Sequence, residues 1–283
     1  MSGARRAASK RRSNGVSPRK SPFSVPTPAA FSLVLTCEHA SAHVPARFRE
    51  IFASEAAERA LHSHRGWDPG ALRVARHLAR SLDAPLYAGK MSRLLIDLNR
   101  PLRHPDVLSQ WSRRLAGEQR EMLVREHLRH WDAVTGRLQE GISAEGPAVH
   151  LGVHSFTPNL SELSDPAVKV GHQLSPRSAP GQRGLSKRNF DVGVLYDPQR
   201  RLEVHFASRL VAALQGVGLC VRRNAPYRGV AAGLTTSLRR TFAEECYAGL
   251  ELELNQARFA CRASGEAEVI SALVSVLACT ATH

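Results

Sequence analysis

The chain has 283 residues, 43% of them hydrophobic, which is enough for one sizeable core plus a tail. No stretch approaches the roughly eighteen consecutive apolar residues of a membrane-spanning helix, and five scattered cysteines without a Cys-x-x-Cys pair exclude a disulfide scaffold, reading instead as reduced, mostly buried thiols of a cytoplasmic protein. The formal net charge of +14 raises nucleic acid as a partner, but aromatics are 6% and no nucleic-acid module is recognisable.

Half of that charge lies at the start. Arg5, Arg6, Lys10, Arg11, Arg12, Arg19 and Lys20 stand among Ser and Pro with no acid before residue 30. Such a segment cannot bury enough surface to offset its ordering entropy, so residues 1–28 read as a disordered basic tail and residues 29–283 as the globular domain. The tail lacks the apolar run of a secretory signal. Apolar runs at 31–36, 85–88, 94–98, 148–153, 192–195, 219–221 and 250–254 have the length and partial β-branching of strands. Helical patterns alternate with them. Residues 69–82 place Leu72, Ala75, Leu78, Ala79 and Leu82 on one face, and Asp68 followed by Pro69 has the form of a cap and first turn. Further helices are expected at 116–140, 202–214, 234–247 and 267–277. Alternation of this kind predicts an α/β fold, a three-layer sandwich whose mixed, largely parallel sheet carries helices on both faces. Residues 159–187, rich in Ser, Pro and Gly, form a connector long enough to be functional or mobile.

Polar groups gather where such sheets place their sites, at the carboxyl ends of strands. Cys37-Glu38-His39 follows the first run, His62 to Asp68 precedes the first helix, Asn99-Arg100 follows the third run and His154-Ser155 the fourth. His39, Asp68 and His154 make a mixed nitrogen and oxygen set suited to Zn²⁺, with another divalent ion as an alternative, and room for a water. A carboxylate must then accept the water's proton. Glu253 is the candidate, with Glu251 beside it on the same strand face; the competing assignment is an exposed edge with both acids solvated. Arg93 and Arg100 can hold a substrate carboxylate or pair with Asp97 or Asp106. Asn224 to Gly229, with Tyr227 at its tip, reads as a loop or turn.

At these residues the sequence resembles the N-formylglutamate amidohydrolase family. The matching segments are Cys37-Glu38-His39 through Val44-Pro45, His64 to Gly70, Ser92-Arg93 with Ile96 to Pro101, Val153 to Phe156, Asp191 to Asp197, Asn224 to Gly229 and Gly249 to Gln256. The family is similar in turn to zinc carboxypeptidases and acyl-amino-acid deacylases, which implies their fold. The resemblance implies metal-assisted hydrolysis of a small N-acyl amino acid bearing carboxylates, giving formate and glutamate or analogous products. It assigns His39 and His154 as metal ligands, Glu253 as catalytic glutamate, and Asn99 and Arg100 to the substrate carboxylate; Arg93, Asn224 and Tyr227 are further substrate-binding candidates. The carboxypeptidase pattern has a glutamate three residues after the first histidine. Here that position is Ala42, so the third ligand is Asp68 or, as runner-up, Glu38. Two other readings stay open: an inactive homologue, motivated by Ala42 and by Ala231-Ala232, and a basic nucleic-acid-binding protein.

Overall fold

The computed structural model describes residues 30–158, 188–259 and 266–278. The basic tail at 1–28 and the connector at 159–187 lie outside the described residues.

Six strands form one sheet in the order β2-β1-β3-β6-β4-β5, with β1 Ser32–Cys37, β2 Leu86–Ala88, β3 Ala148–Phe156, β4 Val192–Leu195, β5 Val221–Arg223 and β6 Tyr247–Asn255. β2, β1, β3 and β6 run parallel; β4 is antiparallel to β6, and β5 follows β4. The helices α1 Glu55–Leu61, α2 Ala71–Ser81, α3 Gly117–Glu145, α4 Arg201–Gly216, α5 Leu234–Thr241, α6 Gln256–Phe259 and α7 Glu266–Leu277 complete the fold. α2, α4 and α7 bury Val74, Leu78, Phe206, Leu210 and Leu273 against one sheet face, while α3 and α5 bury Val134, Leu138, Leu234 and Leu238 against the other. The result is the expected α/β/α sandwich. None of the helices among the described residues is long and apolar enough to cross a membrane.

The alternation of strand side chains decides where polarity goes. On one face, Leu35, Cys37, Val149, Leu151, Val153, Leu250, Leu252 and Leu254 are all buried in a single apolar cluster. The opposite face begins apolar and turns polar toward the carboxyl ends: Ala148, His150, Gly152, His154 on β3 and Tyr247, Gly249, Glu251, Glu253 on β6. His154 and Glu253 are register partners on adjacent parallel strands. The two glutamates therefore lie on an interior strand, flanked by β3 and β4, and not on a solvated edge.

Three expected elements differ. Residues 94–98 are a series of turns: Leu95 N–H donates to Ser92 O at 2.9 Å, and Asp97 N–H donates to Val107 O at 2.8 Å. Leu94, Leu95, Ile96 and Leu98 feed a separate small core with Phe48, Phe52 and Leu123. Consecutive apolar residues there serve several neighbours around a bend, which a strand serving one sheet does not require. The helix expected at 234–247 stops at Thr241, and Tyr247 opens β6. The cap expected at Asp68 falls instead on Gly70, in the left-handed region at φ 88°, and α2 buries Ala71, Val74, Ala75 and Leu78. Among the described cysteines Cys37 is buried, Cys246 half-buried and Cys220 exposed, all as free thiols.

Candidate active site

His39 lies two residues beyond β1, and two loops are tied to it. The Asp68 N–H donates to His39 O at 2.9 Å. Gly66 O, two residues earlier, accepts from the Ser92 hydroxyl at 2.8 Å and from Arg93 N–H at 3.2 Å. The loop carrying Asp68 and the turn carrying Arg93 and Asp97 are thus locked to each other and to the end of β1. His154 arrives from the adjacent strand β3.

These positions bring His39, Asp68 and His154 together as a buried group whose ligand atoms all lie within 4.8 Å of one another. Asp68 Oδ2 is 3.4 Å from His39 Nδ1 and 3.1 Å from His154 Nδ1, and it accepts from Ser155 N–H at 3.2 Å. Zinc bonds of about 2.0–2.1 Å in a tetrahedron require ligand atoms about 3.3 Å apart, so the spacing about Asp68 fits such an ion. Two imidazoles and a carboxylate are also the donor types it prefers.

Each histidine has a second carboxylate on its far nitrogen. Asp97 Oδ1 is 2.7 Å from His39 Nε2, and Glu38 Oε2 is 3.2 Å from His154 Nε2. Glu38 is thus on the far side of His154, away from the cluster about Asp68. Burial alone would raise the Asp68 carboxyl, but the charge of His39 and hydrogen bonds from His154 and His39 hold it well below the usual carboxylate range. Asp97 is likewise held low against its burial, mainly by Arg93 and His39.

Glu253 behaves in the opposite way. Burial pushes it up to about 8, with His154 opposing and Asp68 and Glu251 adding to the rise. One of its carboxylate oxygens is buried without a hydrogen-bond partner, whereas Glu251 accepts from the Thr235 hydroxyl at 2.9 Å. Gly193, the antiparallel partner of Glu253, leaves room for a loop to cross here: a Cβ would sit 1.9 Å from Ala225 O and 3.2 Å from Glu253 Cβ.

The cleft above these groups is lined by Arg93, Asn99, Arg100, Tyr227, Glu251 and Glu253 together with the three-residue cluster. Arg93 donates to Asp97 Oδ2 at 2.6 Å and sits 3.1 Å from His39 Nδ1, so the ion pair weighed from sequence is the one formed. Arg100 donates to Ala232 O at 2.8 Å, and Asn99 Oδ1 accepts from Leu234 N–H at 2.9 Å, joining the turn to the start of α5. Asn224, at φ 49°, does not line the cleft: its side-chain oxygen accepts from Tyr196 N–H and Gly229 N–H, shaping the turn that presents Tyr227.

Two participants escaped the sequence reading. Asp97 stands in the sequence as an arginine partner and within the matching segment Ile96 to Pro101, with no site role of its own, although its spacing in Asp97-Leu98-Asn99-Arg100 places it beside two cleft residues. His130 was unmarked, yet His127, His130 and Trp131 share one face of α3 at helical spacing. His127 Nε2 lies 2.7 Å from Arg100 O, Trp131 donates to Leu98 O at 2.7 Å, and His130 lies 3.7 Å from Glu38.

Residues 31–260 match the family model for N-formylglutamate amidohydrolase. A crystal structure of a gene product of Agrobacterium tumefaciens is similar over 87% of this chain and 88% of its own, with 26% identity and a TM-score of 0.63. A crystal structure of an N-formylglutamate amidohydrolase from Ralstonia eutropha JMP134 shares the fold, with 20% identity over 90% of this chain and 94% of its own and a TM-score of 0.61. No curated protein sequence matches the chain.

Proposed function

The chain belongs to the N-formylglutamate amidohydrolase family, and from that premise we propose that it hydrolyses a small N-acyl amino acid bearing carboxylates, with a divalent metal, zinc first among them, held by His39, Asp68 and His154. N-formylglutamate is the first substrate to consider. The observation that supports this most is the convergence of the three buried donors with Glu253 in register beside His154.

His39, Asp68 and His154 would hold the divalent ion, which would supply Lewis acidity for lowering the pKa of a water to near neutrality and for polarising the acyl carbonyl. Glu253 receives the proton of the attacking water and passes it to the leaving nitrogen, as the carbon–oxygen bond forms and the carbon–nitrogen bond breaks. Its raised affinity for a proton and its unpartnered oxygen suit it to both transfers, and Glu251, engaged by Thr235, supports it on the same strand. Arg100 and Asn99 hold the substrate carboxylate, with Arg93 adding positive charge from its pair with Asp97. Tyr227 also lines the cleft.

A panel of N-formyl-L-glutamate, N-acetyl-L-glutamate, N-formyl-L-glutamine and N-formyl-L-leucine, scored by amine release, tests this reading. Hydrolysis of a dicarboxylate is expected, with kcat/KM about 10- to 100-fold above the neutral side chains, the worth of a charge-assisted hydrogen bond. Zinc bound at one equivalent with none of the four hydrolysed, nor any other N-acyl amino acid, would move the assignment to an inactive homologue. The nucleic-acid reading has no support in the cleft, where the basic groups surround buried acids.

A further inference from the structure

Glu38 is adjacent in sequence to His39 but serves the other histidine. Its side chain is 1% exposed, and its neighbours are two imidazoles on different elements: His154 Nε2 on β3 at 3.2 Å from Oε2, and His130 Nε2 on α3 at 3.7 Å from Oε1. Both are ion-pair approaches: the two Glu38 oxygens and His130 Nε2 are buried with no hydrogen-bond partner. A carboxylate so enclosed is costly unless it is paired with cationic or proton-donating groups. Asn99 Nδ2 also approaches His154 Nε2, at 3.5 Å, but the carboxylate is closer and charged.

We propose that Glu38 is a positioning residue for His154: its carboxylate, poised 3.2 Å from Nε2, accepts the Nε2–H when the site holds its ion, which leaves the Nδ1 lone pair turned toward Asp68 and His39, while His130 closes over Glu38 from α3 and keeps it in place. The proposal rests on the reading of His154 as a metal ligand. It gives the second histidine the arrangement that Asp97 gives the first, and it assigns Glu38 to a part other than ligation. A carboxylate behind a ligating imidazole fixes the tautomer and raises the basicity of the ligating nitrogen, and losing it weakens metal binding about 10- to 100-fold.

The test is zinc affinity of the full chain, measured by competition with a chromophoric chelator, for wild type, Glu38→Gln, His130→Gln, Asp68→Asn and His154→Ala. Circular dichroism and a cooperative unfolding transition establish that each variant is folded. Glu38→Gln is expected to bind one equivalent of zinc about 10- to 100-fold more weakly, His130→Gln to shift the same way by less, and Asp68→Asn and His154→Ala to lose stoichiometric binding. At saturating zinc the His154 Nε2–H resonance of wild type is expected far downfield, as for an imidazole bonded to a carboxylate, and to move upfield in Glu38→Gln; a packing role alone would leave it in place. Wild-type affinity and an unmoved resonance in Glu38→Gln, with binding lost in His154→Ala, overturn the positioning role and leave the ligand set standing. Binding abolished in Glu38→Gln but kept in Asp68→Asn overturns it too, making Glu38 the ligand. No zinc on the wild type overturns both readings together.

Discussion

His154→Ala is expected to abolish stoichiometric divalent metal binding and to lower turnover of the preferred N-acyl amino acid by on the order of 10³-fold or more. The size follows from what the ion would contribute: a bound divalent ion would lower the pKa of the attacking water to about 7, and without it the water stays far less acidic. His154 is placed to have this effect because its Nδ1 is 3.1 Å from Asp68 Oδ2 in a buried cluster with His39, and no other imidazole shares that group among the described residues. Metal content by elemental analysis and single-turnover amine release check the two halves separately. A variant with full turnover would show that His154 is not a ligand.

The second large effect belongs to Glu253. Glu253→Gln keeps the shape of the side chain and removes the proton acceptor, so it is expected to retain metal, leave KM nearly unchanged and lower kcat by about 10²–10⁴-fold. Its pH behaviour has a definite sign. The base must be ionised to act, so the rate rises with pH through the Glu253 pKa. Burial places that value at about 8, with His154 lowering and Asp68 and Glu251 raising it, and a dication on the neighbouring ligands favours the carboxylate and draws it lower. The metal-loaded enzyme should therefore show an ascending limb below 8 that disappears in Glu253→Gln. A variant with an unaltered rate and an unaltered limb would move the base elsewhere, with Glu251 next in line.

Much of this was legible in the sequence, because both strand periodicity and site placement follow from local rules. The runs that became β1, β3, β4 and β6 have the length and partial β-branching of buried strands, and the acids and histidines at their ends fall where an α/β sheet forms its clefts. His39, Asp68 and His154, separated in sequence, were paired by residue type and placement, and the structure brings them together. What local patterns do not carry is the use of a residue by distant parts of the chain. Leu94 to Leu98 has a strand's composition, but Ser92 and Val107 take its backbone hydrogen bonds and a separate core takes its side chains. Asp68 has the form of a helix cap, yet its carboxylate faces two histidines instead of the first turn of α2. Asn224 has the look of a binding residue and spends its oxygen on two backbone donors. Asp97 pairs with Arg93 and His39, and His130 lies 3.7 Å from Glu38, contacts across the fold that nothing at their own positions announces.

The metal dependence is the claim on which the rest stands. It is tested most directly by stripping the protein with a chelator and titrating zinc back while following amine release from N-formylglutamate or whichever panel member is turned over. No turnover is expected in the stripped protein, and a linear rise that saturates at one equivalent, with His39, Asp68 and His154 as the holding residues. Undiminished turnover in the stripped protein would contradict it.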